Sequence, residues 1–181
     1  MSQFYSRPYD EVVADNPEDW KIYTRRNVYN FFIDGKQQSI SKIIRDHAIT
    51  SAIDYGCGAG ISMSHCGIPV FNFDPFIERF SKYPTGPADM LVAFNVLNVI
   101  EDQFFDAVIT EFYRLCNKMV VANTMLPGVY KRDAVWYVRK LLVNHAHQFK
   151  IADISVTDGP GSPDSRPGRK RLYFMLEKIP A

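Results

Sequence analysis

The residues best suited to chemistry are Asp54-Tyr55-Gly56-Cys57-Gly58-Ala59-Gly60, an acid two positions ahead of three alternating glycines. Glycine turns the backbone sharply, accepts positive φ and lets another group lie against bare main chain. A helix starting just beyond such a loop offers free N–H groups and a positive end to a ligand. A second acid, Asp74, follows at Phe73-Asp74-Pro75-Phe76, one crossover later. A carboxylate there can accept hydrogen bonds from the two hydroxyls of a ribose. The spacing is G-x-G-x-G. A dinucleotide fingerprint is G-x-G-x-x-G, so Gly60 arrives one residue early for a nicotinamide site. A phosphate loop ends in Gly-Lys-Ser/Thr, and Gly60-Ile61-Ser62 does not.

The elements that must position these residues read as alternating strands and helices. Ile49–Tyr55, Pro69–Phe73, Asp89–Asn95, Lys118–Asn123, Phe149–Val156 and Arg171–Glu177 read as strands. Helices are expected from Pro17 through Ile33, over Lys42–Ala48, briefly at 61–65 and 76–80, over Glu101–Cys116 and over Arg132–His147. The pattern predicts an α/β Rossmann-like domain, with a mainly parallel sheet of about six strands. Gly/Pro-rich residues 158–169 between the last two strands predict an antiparallel C-terminal hairpin. Residues 1–47 are expected to form an N-terminal helical cover and residues 48–181 the Rossmann-like unit, together one compact domain. Ligands in such sheets lie outside the carboxyl ends of the strands, where the glycine cluster falls.

Ile53–Gly60 resembles motif I of class I S-adenosylmethionine (SAM)-dependent methyltransferases. DYGCGAG, FDPF and ADMLVAFNVLNVIED together are similar to short methyltransferase-like proteins of bacteria and phages, over about residues 50–125. The resemblance implies SAM as cofactor and S-adenosylhomocysteine (SAH) as product. It places Asp54, Gly56, Cys57, Gly58 and Gly60 along the methionine and ribose. Asp74 would take the ribose hydroxyls, and Pro75 and Phe76 would flank adenine. Asn95, Val96 and Leu97 would lie against the cofactor at the next strand tip. Arg26, on the N-terminal helix, would pair with the methionine carboxylate, the alternative being an exposed surface arginine.

The chain departs from those relatives where they carry an acid at 95, an acid at 98 and a histidine at 99. Here stand Asn95, Asn98 and Val99. Asn98 is the candidate catalytic residue, through a hydrogen bond to the acceptor or to the cofactor amine; the alternative is a cap for the helix near Glu101. The stretch from Asp74 to Asp89 is too short for the usual third strand. The resemblance thus implies a methyltransferase or a SAM-binding module without catalysis. The known DNA-methylating motifs are missing: Asn95-Val-Leu-Asn98 is not acid-Pro-Pro-aromatic, and no cysteine follows a proline. A small-molecule, RNA or protein acceptor is expected instead.

Net charge is +1, and the 46% apolar and 23% charged residues suit a globular protein without an overall field for nucleic acid or membrane. Residues 116–181 hold eleven Lys and Arg against five acids, a surplus that suits an anionic substrate or a solvated surface. No apolar run is long enough for a membrane span, and Met1–Trp20 has no apolar signal core. Cys57, Cys66 and Cys116 lack zinc spacing and suit reduced thiols in a cytoplasmic setting. His145 and His147 are expected to complement a helix end rather than bind metal.

Overall fold

A computed structural model describes residues 30–33, 36–58, 60, 63, 66–127, 132–158 and 170–180. The strands are β1 (Asn30–Ile33), β2 (Lys36–Ser39), β3 (Ala52–Tyr55), β4 (Val70–Phe73), β5 (Ala88–Phe94), β6 (Cys116–Leu126), β7 (Phe149–Asp158) and β8 (Lys170–Lys178). The helices are α1 (Ile40–Asp46), α2 (Asp102–Leu115) and α3 (Ala134–Asn144), with a 3-10 turn at Glu78–Phe80. Among the described residues no helix is long and apolar enough to cross a membrane.

The main sheet has six strands in the order β4-β3-β5-β6-β8-β7. β4, β3, β5 and β6 run parallel, while β8 is antiparallel to both β6 and β7. This is the expected Rossmann-like sheet with its C-terminal hairpin. From β3 the chain goes first to β4 on one side, then to β5 on the other. The order therefore reverses around β3, and the crevice at its carboxyl end is the place where open α/β sheets take ligands.

Alternate residues of each strand feed two cores. On one face Leu91, Ala93, Val120, Ala122 and Phe174 pack under α2 and α3. Helix α2 supplies Phe105, Val108, Ile109, Phe112 and Leu115, a stripe at helical spacing. On the other face Met90, Val92, Met119, Val121 and Met175 pack with Ile40, Ile43 and Ile44 of α1. Ser39 caps α1 by accepting from the Lys42 amide at 3.2 Å, and Asp133 caps α3 through the Trp136 amide at 2.8 Å.

The two helices over the first face are tied by Asp106. Its carboxylate accepts from Lys140 Nζ at 2.8 Å and Asn144 Nδ2 at 3.0 Å, and faces Nε2 of buried His145 at 3.0 Å. The other ring nitrogen of His145 faces Gln148 Oε1 at 2.9 Å. His145 thus ends α3 as a structural tie.

Two expectations are corrected. Asn30–Ile33 is a strand, not the end of a helix; it pairs antiparallel with β2 from Asn30↔Ser39 to Ile33↔Lys36. β1 lies alongside β7 and β8. Asp34-Gly35, read as a helix stop, is equally the two-residue signal of a hairpin. Asn98 does not cap α2, whose N-cap is Glu101. The helix expected over 17–29, Arg26 within it, and most of 158–169 lie outside the described residues.

Candidate ligand site at the carboxyl ends of the parallel strands

The glycine segment leaves β3 and is laced to the end of β4. Phe73 O accepts from the Gly56 and Cys57 amides at 2.7 and 3.1 Å, and Gly60 N donates to Cys57 O at 2.9 Å. Gly56 and Gly60 both have φ +72°, a region that costs other residues about 1–2 kcal/mol. Space tells as much as angle. A Cβ on Gly56 would meet Val96 Cγ2 at 2.5 Å, and one on Gly60 would meet the Phe80 ring at 2.5 Å. At these two glycines the bare backbone admits the chain's own side chains, so internal packing demands them.

Gly58 has a different task. Its amide donates to Asp74 Oδ2 at 2.9 Å, while Phe76 N donates to Asp74 Oδ1 at 3.0 Å. Asp74 N in turn donates to Phe80 O at 3.0 Å, which curls residues 74–80 back on themselves. The carboxylate is thereby fixed at the tip of β4 with one N–H on each oxygen. Each oxygen keeps lone-pair capacity for a further donor. Asp74 is buried, and burial raises its pKa above the ordinary aspartate value, opposed by the Phe76 and Gly58 amides.

Asp54 is buried on β3 and pairs in register with Asn72 of β4. Both acids stand near Cys57, whose thiol is raised far above its normal range by burial first and then by the charges of Asp54 and Asp74. That thiol stays protonated and is no nucleophile. Pro75 and Phe76 are half-buried beside Asp74.

The third group follows β5. Asn95 adopts φ +57°, which asparagine tolerates. Its amide donates to both the backbone O and the side-chain Oδ1 of Asn123, at 3.1 and 3.0 Å. Val96 and Asn98 are buried, and Leu97 is fully buried in the core over α2 and α3. The Leu97 side chain is therefore core rather than wall.

Arg132, only 4% exposed, pins this loop from beneath. It donates to the carbonyls of Leu97 and Ile100, pairs with Asp102 through Nε at 2.6 Å, and stacks 4.4 Å from the Trp136 ring centroid.

Several amide atoms of this region are buried with no hydrogen-bond partner: Oδ1 of Asn72, Asn95 and Asn98, and Nδ2 of Asn123. Each such atom costs roughly 1–3 kcal/mol. Asn72, Asn123 and Arg132 are additions that the motif reading passed over. Asn123 carried a signal, being polar within the apolar strand sequence Met-Val-Val-Ala-Asn-Thr-Met-Leu. Arg132 carried none.

No protein-family profile and no curated protein matches the sequence. Solved structures do match in fold. The chain is similar to 1,6-didemethyltoxoflavin-N1-methyltransferase of Burkholderia thailandensis, solved with 1,6-didemethyltoxoflavin and SAH bound. The TM-score is 0.58 at 12% identity, covering 97% of this chain and 92% of that one. It is also similar to magnesium protoporphyrin IX methyltransferase of Synechocystis, solved with SAM. There the TM-score is 0.55 at 15% identity, covering 94% and 96%. An rRNA methylase of Escherichia coli matches with TM-score 0.53 at 15% identity, covering 77% of this chain and 61% of that one. The fold is that of the Rossmann-like class I methyltransferases.

Proposed function

We propose that the protein binds SAM across the carboxyl ends of β3, β4 and β5 and transfers its methyl group to an acceptor. The observation that carries this reading is the Asp74 carboxylate, held by the Gly58 and Phe76 amides at the mouth where the strand order reverses. In this reading Asp74 takes the ribose hydroxyls on its remaining lone pairs. Asp54, Gly56, Cys57, Gly58 and Gly60 border the methionine and ribose, and Pro75 and Phe76 flank adenine. Asn95, Val96 and the backbone of Leu97 close the other side. Arg26 is assigned to the methionine carboxylate on sequence grounds alone. Fold-mates solved with SAM or SAH support this choice of ligand.

The cofactor supplies an electrophilic sulfonium methyl. The chain's part is to align the acceptor with it and to exclude water. Val99 replaces the family histidine, so alignment rather than a side-chain base carries the rate in this reading. A second reading, a SAM-binding module without turnover, draws on that same replacement and on Asn98.

The acceptor is a small molecule, RNA or protein rather than a specific DNA sequence. Lys170 and Arg171 pair with Leu126 and Met125 at the carboxyl end of β6, the same end of the sheet as the mouth. This supports an acceptor with an anionic portion. The protein is assigned to the cytoplasm.

Titration calorimetry with SAH, SAM and NAD tests the ligand. SAH and SAM should bind one to one, and NAD should not. Binding of NAD alone would replace the reading with a nicotinamide site. Transfer of label from methyl-labelled SAM in a lysate then separates the enzyme from the module.

A further inference from the structure

We propose that Asn95, Asn98 and Asn123 seat the reacting group of the methyl acceptor, and that this group is uncharged and presents both an N–H and an acceptor atom. A primary amide or a lactam-like ring has that chemistry: its heteroatom forms the new bond to the methyl carbon as the S–CH3 bond breaks, SAH leaves, and the N–H proton is released to water after transfer. The inference rests on the methyltransferase reading and names the substrate class of its site.

Three observations converge. The first is the set of unmet atoms: the side-chain oxygens of Asn95 and Asn98 and the side-chain NH2 of Asn123 are buried without partners. Asn98 is 4% exposed and Asn123 fully buried. Folded proteins leave few such atoms, and a group of them calls for a further partner, water or ligand.

The second is their arrangement. The Asn95 amide is bonded to Asn123 Oδ1 at 3.0 Å, which fixes the plane of that side chain and leaves its NH2 as the free end. Asn98 follows Asn95 by three residues, in the loop whose Leu97 and Ile100 carbonyls Arg132 holds. Asn123 pairs in register with Phe94, the last residue of β5, so it lies beside the start of the pinned Asn95–Asn98 loop.

The third is polarity. Two carbonyl oxygens ask for donors, and one NH2 asks for an acceptor. A carboxylate would satisfy the NH2 but oppose the two oxygens. An ammonium would do the reverse. A neutral group with one N–H and one acceptor oxygen or nitrogen satisfies both poles at once. Apolar side chains would fill these positions more cheaply, since the strand neighbours Phe94, Val121 and Ala122 are core residues.

Acetamide, acetate and methylammonium are the probes. Each is titrated into 15N-labelled protein, with and without SAH, while the side-chain amide signals of Asn98 and Asn123 are followed. Asn98→Leu and Asn123→Ser identify those signals. Acetamide should shift both saturably, with a Kd on the order of 10–100 mM for so small a molecule, and the two ions should not. No response to acetamide in either form overturns the proposal, as does an equal response to acetate or methylammonium. Asn98→Leu should keep or raise Tm while losing at least fivefold in acetamide affinity; unchanged affinity also overturns the proposal. SAH binding is read in the same samples from the backbone amides of Gly56–Gly60. If SAH binds and acetamide is ignored, the acceptor seat fails alone. If SAH shifts nothing, the methyltransferase reading fails and takes the acceptor assignment with it.

Discussion

The Gly58 amide donates to the Asp74 carboxylate at 2.9 Å, joining the glycine loop after β3 to the acid after β4 across sixteen residues of chain. This bond makes the two sequence signals one site. It also means that Asp74 shapes the loop before any ligand arrives.

Truncation of Asp74 removes its loop bonds and its ribose contact together. Asp74→Ala should weaken SAH binding by about 1.5–3 kcal/mol, the range for hydrogen bonds to a charged group, or roughly ten- to hundredfold in Kd. Calorimetry checks it. Affinity equal to wild type would remove Asp74 from the ribose.

Asp74 also sets a pH dependence. Burial raises its pKa, opposed by two amides. A carboxyl raised on folding destabilises the native state above its folded pKa, and that penalty disappears as pH falls through the folded value toward the unfolded one. In the proposed reading ligand binding runs the other way, because ribose hydroxyls donate more strongly to the ionised form. SAH affinity should fall on acidification starting above about pH 4, the ordinary aspartate range. The limiting slope is about tenfold per pH unit for one required ionisation. A flat profile down to that range would contradict the assignment.

Gly56 and Val96 form a testable pair. Gly56→Ala should lower stability by about 1–2 kcal/mol from the left-handed backbone alone, and by more from the contact with Val96 Cγ2 at 2.5 Å. In the double variant Gly56→Ala/Val96→Ala the contact part should be recovered and the backbone part should remain. Thermal unfolding of the four proteins gives the coupling. Additive losses would show that Val96 does not occupy the Gly56 face.

Arg132→Lys should be a severe change despite keeping the charge. Lysine cannot reproduce a planar fork that bonds Asp102 and two carbonyls at once. One buried carbonyl would lose its partner, at about 1–3 kcal/mol. Loosening of the Asn95–Ile100 loop should raise the SAH Kd beyond what the fall in Tm explains. A lower Tm with unchanged affinity would confine Arg132 to stability.

The Asp106 tie predicts acid sensitivity of the two-helix face. Burial raises its pKa, but the bonds from Lys140, Asn144 and His145 outweigh that and leave it lowered. A lowered carboxyl stabilises the fold above its unfolded pKa, and this is lost as pH falls through the folded value. Because 42% of the Asp106 side chain is exposed, screening holds the cost of Asp106→Asn near about 1 kcal/mol at neutral pH. The difference in Tm from wild type should close below about pH 4.

The sequence made legible what short-range pattern encodes. Short apolar runs marked six strands, helical spacing marked α2 and the extent of α3, and the acid-glycine cluster with Asp74 marked the mouth. Val135 and Leu142, on the expected apolar face of α3, are exposed. Longer-range determinants escaped. Asn30–Ile33 follows a stretch with helical spacing, yet its pairing with Lys36–Ser39 decides its state. β6 was expected to end at Asn123 but continues to Leu126, because β8 pairs with it as far as Leu126↔Lys170. Asn98 resembled a cap because asparagine caps well, while Glu101 holds that position. The role of Arg132 depends on a loop some thirty residues earlier, which no local pattern reports.

The most direct test is a crystal structure with SAH bound. Density for the ribose should lie within hydrogen-bond reach of Asp74, with adenine beside Phe76 and the sulfur facing the Asn95–Asn98 loop. SAH found elsewhere on the protein, or a bound ribose out of hydrogen-bond reach of Asp74, would contradict the account.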